Sequence, residues 1–231
     1  MARRPRPRPL LDPRRAPPRL TLEADGRVRY VSAAETLPRS HREAAARTTT
    51  ERGGEGATTM PHRALIGVGS NLGERASNIH EALERLSQLP DTRVVRMSSL
   101  YESEPHGDAK TWFVNGVVEV ETEFKSADLL KKLKAIEEAM GRKRVKGKRW
   151  GSRIIDLDIL FFDQEVVSGR TLKIPHPEIA NRRFVLLPLA EVAPQQSHPE
   201  LGQTVSQILA TTKDRKRVTL LPPSAARKST A

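Results

Sequence analysis

The chain has 231 residues, 37% hydrophobic and 29% charged, with a formal net charge of +12 and no cysteine. That length holds one real core with appendages or two small domains, and the lack of cysteine excludes disulfides, thiolate metal sites and cysteine nucleophiles. No apolar run approaches the roughly 20 residues that a membrane span needs, and an arginine- and proline-rich N-terminus lacks the apolar stretch of a signal peptide, so the expectation is a soluble protein.

Residues 1–60 differ from the rest. They hold 13 arginines, no lysine and seven acidic residues, for a net +6, with seven prolines, most of them in "RRPRPRPLLDPRRAPPRL". From Met60 onward lysine enters and hydrophobic periodicity begins. The break predicts a disordered, partly polyproline-like tail over 1–60, a folded domain over 61–222 and a disordered C-terminus over 223–231. The high charge invites a nucleic-acid partner, but half of it lies in the tail.

Within the domain, "RALIGVG" (63–69) predicts a short apolar strand. "SNIHEALERLSQL" (77–89) places Ile79, Leu83, Leu86 and Leu89 at helical spacing, with Ser77 in capping position and Pro90 as the stop. Between them, "GVGSNLGER" (67–75) spaces its glycines one residue too widely for a dinucleotide fingerprint and lacks the Gly-Lys-Ser/Thr of a P-loop, so it reads as a tight turn. "RVVRMSSLYES" (93–103) and "FVNGVVEVET" (113–122) are strand-like. "SADLLKKLKAIEEAM" (126–140) is an amphipathic helix closed by Gly141. "RWGSRIIDLDILFF" (149–162) supplies a fourth strand, and the order βαββαβ predicts an α+β, ferredoxin-like sandwich with two helices on one face of an antiparallel sheet. "FFDQEVV" (161–167) reads as a hairpin extending that sheet, and "LGQTVSQILATT" (201–212) and "RVTLL" (217–221) form a C-terminal extension.

The fourth strand holds Asp156 and Asp158. Residues two apart share a face of a strand, so both carboxylates point one way while Ile155, Leu157 and Ile159 point the other, toward the helices. Aspartate is depleted in strands, and the aspartate face continues as Leu160 and Phe162, which predicts the wall of a cleft rather than a wet surface. Two carboxylates roughly 7 Å apart repel unless a cation lies beside them. An oxygen-only pair suits Mg²⁺, which takes its remaining ligands from water and substrate phosphates. Just upstream, "GRKRVKGKRWGSR" (141–153) sets seven cations among three glycines, which suits a polyphosphate clamped by arginine forks or, alternatively, a nucleic-acid patch.

Together, "GVGSNLG", "YESEP", "FVNGVVEVET", "GRKRVKGKRWGSRIIDLDILFF" and "IPHPEIANRRFVLLPLAEVAP" resemble, in order and spacing, the 6-hydroxymethyl-7,8-dihydropterin pyrophosphokinase family over about residues 63–221. The resemblance implies a cytoplasmic enzyme that transfers the β,γ-diphosphoryl group of ATP to the pterin hydroxymethyl, releasing AMP, in folate biosynthesis. Asp156 and Asp158 match aspartates that hold two Mg²⁺ ions. Arg142, Arg153, His176 and Arg182 match groups on the nucleotide side, the two former closing over the site as catalytic arginines. Ser103, Phe113, Asn115, Trp150 and Phe184 match the pterin-binding set, with the two phenylalanines on either side of the ring. Asn71 and Glu137 match supporting positions. The stretch Thr171–Lys173 departs from the family in lacking an arginine. The resemblance further implies a stand-alone monomer, without the aldolase or synthase fusion partners, that binds two small molecules and neither a membrane nor a specific nucleic acid. The competing reading is an RNA-binding module of the same topology, although the aromatic signature of such modules is missing from the strands.

Overall fold

The computed structural model describes residues 19–22, 28–31, 61–105, 110–141 and 153–222. Two short strands lie in the arginine-rich N-terminal segment: β1 (Arg19–Leu22) pairs antiparallel with β2 (Val28–Val31), Leu20 opposite Tyr30 and Leu22 opposite Val28. Composition over 1–60 does not anticipate this hairpin. Its local signal is the Asp25–Gly26 pair between two alternating runs.

The domain proper begins with β3 (His62–Ser70), followed by α1 (Arg75–Ser87). That helix starts two residues ahead of the expected cap. Glu74, not Ser77, is the N-cap residue, and it makes no side-chain capping bond. The stretch expected as one strand is broken into β4 (Thr92–Met97) and β5 (Tyr101–Ser103). Next come β6 (Phe113–Thr122), α2 (Ser126–Ala139) and β7 (Asp156–Phe162). β3 lies between β6 and β7, and the outer edge of β6 is shared by β5 at its start and β4 at its end, all antiparallel.

The helix-side face of this sheet buries Ile66, Val68, Val118, Ile155 and Leu157 against Leu83 and Leu86 of α1 and Leu129 and Leu133 of α2. Full burial of each such side chain contributes about 1.5–3 kcal/mol. The opposite face is also covered. β8 (Val167–Ser168) and β9 (Lys173–Ile174) pair with each other rather than extending the sheet from β7, and α3 (Arg183–Val192) follows. α3 is not legible as a helix because Pro188 lies inside it and removes the helical donor to the carbonyl of Phe184. β10 (Ser197–His198) and β11 (Gln203–Thr204) form a small ladder, after which α4 (Val205–Thr211) starts with a capping box between Thr204 and Gln207. β12 (Val218–Leu220) then pairs with β5. α3 and α4 bring Leu186, Leu189, Val205 and Ile208 onto Leu65, Val117, Leu160 and Phe161. Helices therefore cover both faces, not one. No helix among the described residues is long and apolar enough to cross a membrane.

Candidate active site

Asp156 and Asp158 stand on the α3 side of β7, as their alternation with Ile155, Leu157 and Ile159 requires; those three are 0–2% exposed in the helix-side core. The face does not continue to Phe162. A register shift at Leu65/Ile66 inserts one residue into β7, so Leu160 and Phe161 both join the α3 side, and Phe162 packs with the helices.

Across from the aspartates are two glycines. Gly69 pairs with Asp156 on one side and Asn115 on the other, and Gly67 pairs with Asp158 and Val117. The expected turn belongs to Gly73 alone, at φ +59°, while Gly67 and Gly69 are strand residues that leave the floor of a cleft bare. A Cβ on Gly69 would lie 3.0 Å from Oδ1 of Asn115, and one on Gly67 would touch the Leu160 side chain at 3.4 Å. Two glycines two apart in an apolar strand were the available signal for such a floor.

The cleft encloses a volume of about 90 Å³ and opens to solvent. Phe113, Asn115, Ser103, Arg153, Asp156, Asp158, His176, Arg182 and Phe184 all line it. Its two ends differ in chemistry. At one, the amide of Asn115 donates to the Ser103 hydroxyl at 2.8 Å, both side chains buried, with Phe113 on β6 and Phe184 in the first turn of α3 nearby. At the other, the Arg153 guanidinium donates to the Asp156 carboxylate. A cation of the chain itself thus lies beside Asp156. Arg182 approaches Glu178 at 3.6 Å and lies over the Phe184 ring at 5.9 Å.

His176 is held below the ordinary imidazole value by burial, with the Arg182 charge assisting and the Asp158 carboxylate opposing. Its Nδ1 accepts the Glu178 amide N–H at 3.2 Å, so the neutral ring carries its proton on Nε2. A neutral donor at the edge of a cleft suits a phosphate oxygen.

Asn71 and Glu137 are brought close to the cleft but stand outside its lining. Glu137, 1% exposed on α2, accepts the backbone N–H of Leu157 at 2.8 Å, the residue between the two aspartates, and pairs with Lys134 at 3.2 Å. Asn71 exchanges bonds with the start of the fourth strand: its Oδ1 accepts from the Arg153 amide at 2.6 Å and its own N–H donates to the Arg153 carbonyl at 3.2 Å. Both hold the backbone that carries Arg153 and the aspartates. Arg142 and Trp150 lie outside the described residues.

The donor set fits a small hard cation. Two carboxylates face a bare floor, which is the number Mg²⁺ takes from protein when phosphates supply the rest. Among the described residues no group of three or more His, Cys, Asp or Glu forms a closed metal cage. The RNA-binding alternative loses its surface, because α3 and α4 cover the sheet face where such modules display stacked aromatics.

The chain is similar to known proteins over the stretch that builds this cleft. The model of the family described as 7,8-dihydro-6-hydroxymethylpterin-pyrophosphokinase (HPPK) matches residues 65–194. The protein named 2-amino-4-hydroxy-6-hydroxymethyldihydropteridine pyrophosphokinase of Methylorubrum extorquens is 42% identical over 149 residues, covering 64% of this chain and 92% of that one. The protein of the same name from Pseudomonas aeruginosa is 43% identical over 152 residues, 65% of this chain and 92% of that one. Among solved structures, the Plasmodium falciparum HPPK-DHPS with pteroate shares the fold, with a TM-score of 0.53 at 17% identity over 65% of this chain and 44% of that one. This chain thus spans less than half of that longer one.

Proposed function

The chain belongs to the 7,8-dihydro-6-hydroxymethylpterin pyrophosphokinase family, and we propose that the cleft between β7, β6 and α3 is where it binds its two substrates. The enzyme is an ATP-dependent diphosphokinase of folate biosynthesis. It transfers the β,γ-diphosphoryl group of ATP to the hydroxymethyl of 6-hydroxymethyl-7,8-dihydropterin and releases AMP. The observation that carries the site is the sheet row Asp156–Gly69–Asn115, which sets a carboxylate, a bare floor and an amide side by side in one cleft.

Phe113 and Phe184 take the pterin ring between them, and Asn115 and Ser103 read its polar edge, since an amide offers both a donor and an acceptor. Arg153, Arg182 and the Nε2–H of His176 bind triphosphate oxygens; by the family resemblance Arg142 joins this nucleotide set and Trp150 the pterin set. Asp156 and Asp158 would hold Mg²⁺, two ions in this reading, which when bound neutralises phosphate oxygens. Holding that charge requires Arg153 to release Asp156 and turn to the phosphates. Phosphoryl-type transfer asks mainly for positioning and charge stabilisation, so no strong general base is needed. The connectivity, with β3 central and the crossings through α1 and α2, supports a ferredoxin-like core. The cytoplasm, where ATP is held, is the expected compartment, and a monomer the expected form.

The test is an incubation with Mg²⁺, ATP and 6-hydroxymethyl-7,8-dihydropterin. AMP is expected only when the pterin is present; ADP as the nucleotide product, or AMP independent of pterin, would overturn the assignment.

A further inference from the structure

Residues Thr212–Arg217 bond to both walls of the cleft without lining it, apart from any role in the sequence motifs. On the α3 side, Asp214 Oδ2 accepts the backbone N–H of Arg183, the first residue of α3, at 2.8 Å. The Thr212 hydroxyl, in a side chain 5% exposed, donates to the carbonyl of Ala180 at 3.0 Å. α3 has no cap of its own, because its N-cap residue is Arg182 and makes no side-chain capping bond. Asp214 therefore caps the helix from 31 residues away. On the β5 side, Lys216 Nζ donates to the carbonyl of Pro105 at 2.9 Å, and Glu104 and Arg217 exchange bonds, Glu104 N–H to the Arg217 carbonyl at 3.1 Å and Arg217 N–H to Glu104 Oε2 at 3.2 Å. The strand then continues as β12, with Val218 opposite Ser103.

We propose that Thr212–Arg217 is a strap that sets the separation between the α3 wall and the β5 wall of the cleft, with Asp214 as its positioning residue. The two walls carry different parts of the site, Arg182 and Phe184 on one and Ser103 on the other. Near its C-terminal end, α3 is already pinned to the same sheet edge, where Glu191 accepts the Tyr101 hydroxyl and the Ser99 amide N–H, the latter at 2.7 Å. The strap is the corresponding tie at the end of α3 that faces substrate. Asp214 serves two backbone donors at once, Oδ2 taking Arg183 and Oδ1 taking Lys216 at 3.0 Å. An asparagine can accept only one of them and sets its NH₂ against the other, so Asp214→Asn breaks one tie without changing shape. The proposal rests on the reading that Phe184 and Ser103 contact the pterin.

The experiment compares wild type, Asp214→Asn and Asp214→Ala in steady-state AMP release and in amide hydrogen exchange of the substrate-free proteins. Losing one helix cap is worth about fivefold in the population of the ordered first turn. KM for the pterin is therefore expected to rise about fivefold in Asp214→Ala, which loses both bonds, and by less in Asp214→Asn, which keeps one, with kcat within about twofold. The amides of Arg183–Leu186 should exchange faster in both variants while those of β3 do not. A merely structural role would lower kcat through lost folded protein and leave KM unmoved, and that result overturns the strap, as does unchanged KM in both variants. If Asp214→Ala does not fold, Asp214→Asn decides alone. Absence of pterin-dependent AMP release by wild type would count against the substrate reading instead, and exchange at Arg183–Leu186 would then decide the strap by itself.

Discussion

Carboxylates sit beside arginines at both ends of the sheet face that α3 and α4 cover, yet the two ends do opposite work. At one end Glu119, 4% exposed, lies between the guanidinium groups of Arg63 and Arg96, and Arg63 also donates to the Gln196 side chain at 2.7 Å. At the other end the Asp156 side chain is 23% exposed beside Arg153, and the neighbouring strand offers Gly67 and Gly69 in place of side chains. A carboxylate enclosed by two arginines and a packed neighbour is a structural tie, because every polar atom is satisfied from within the fold. A carboxylate beside bare backbone keeps room for a ligand that the protein does not supply.

The contrast breaks outright if Asp158→Asn leaves catalysis intact. Losing a single charge that stabilises developing or bound charge in an active site costs roughly 10²–10³ in rate, so AMP release at saturating pterin should fall by at least that much. Asp156→Asn should lose activity equally and melt slightly lower, since its ion pair with Arg153 is weakened; for a part-buried pair that is about 1 kcal/mol or less. Thermal melts with Mg²⁺ and a non-hydrolysable ATP analogue sharpen the point. Wild type should gain stability from a ligand that binds only the folded state, and both variants should lose most of that gain.

Glu119→Gln tests the other end. Removing a buried carboxylate leaves two arginines facing each other, although their exposure lets water take up part of the cost, giving about 2 kcal/mol. In a domain of this size that lowers the melting temperature by roughly 4–8 °C. AMP release per folded molecule should stay at wild-type level. A catalytic defect without a stability defect would erase the distinction between the two ends.

The smallest effect expected is on pH. Burial lowers the imidazole values of His80, His176 and His198 from the ordinary 6.5. Below that value the unfolded chain binds more protons than the folded one, so stability is complete above about pH 6.5 and is lost as pH falls through and below it. The melting temperature should fall on going from neutral pH to one unit below that point. His176→Gln should flatten part of this slope, which a series of melts between those limits would show.

Much of the candidate site was legible locally. Two-residue alternation put Asp156 and Asp158 opposite an isoleucine and leucine face, and Phe113, Asn115, Ser103, His176, Arg182 and Phe184, which the family motifs single out, line one cleft. The misses share one cause. Phe162 changes face because a bulge inserts one residue in β7, and a one-residue shift reverses every later side chain while leaving composition untouched. Gly67 and Gly69 became a floor only through their pairing with β6 and β7, strands that begin 44 and 87 residues further along. α3 persists despite Pro188 because Leu186 and Leu189 bury against Leu65 and Val117, a gain that outweighs the lost helical bond.

Periodicity, capping residues and turn signals act within a few residues, so they decide which stretches become strands and helices and in what order. Register, bulges and long-range caps are decided by partners that are distant in sequence. Asp214 shows this most plainly. Its neighbours Lys213 and Arg215 mark it as an ordinary charged surface residue, and only the packed fold sets its carboxylate 2.8 Å from the first amide of α3. A hydrogen bond is worth making only once burial has removed the competing water, and burial is a property of the assembled domain rather than of any segment of it.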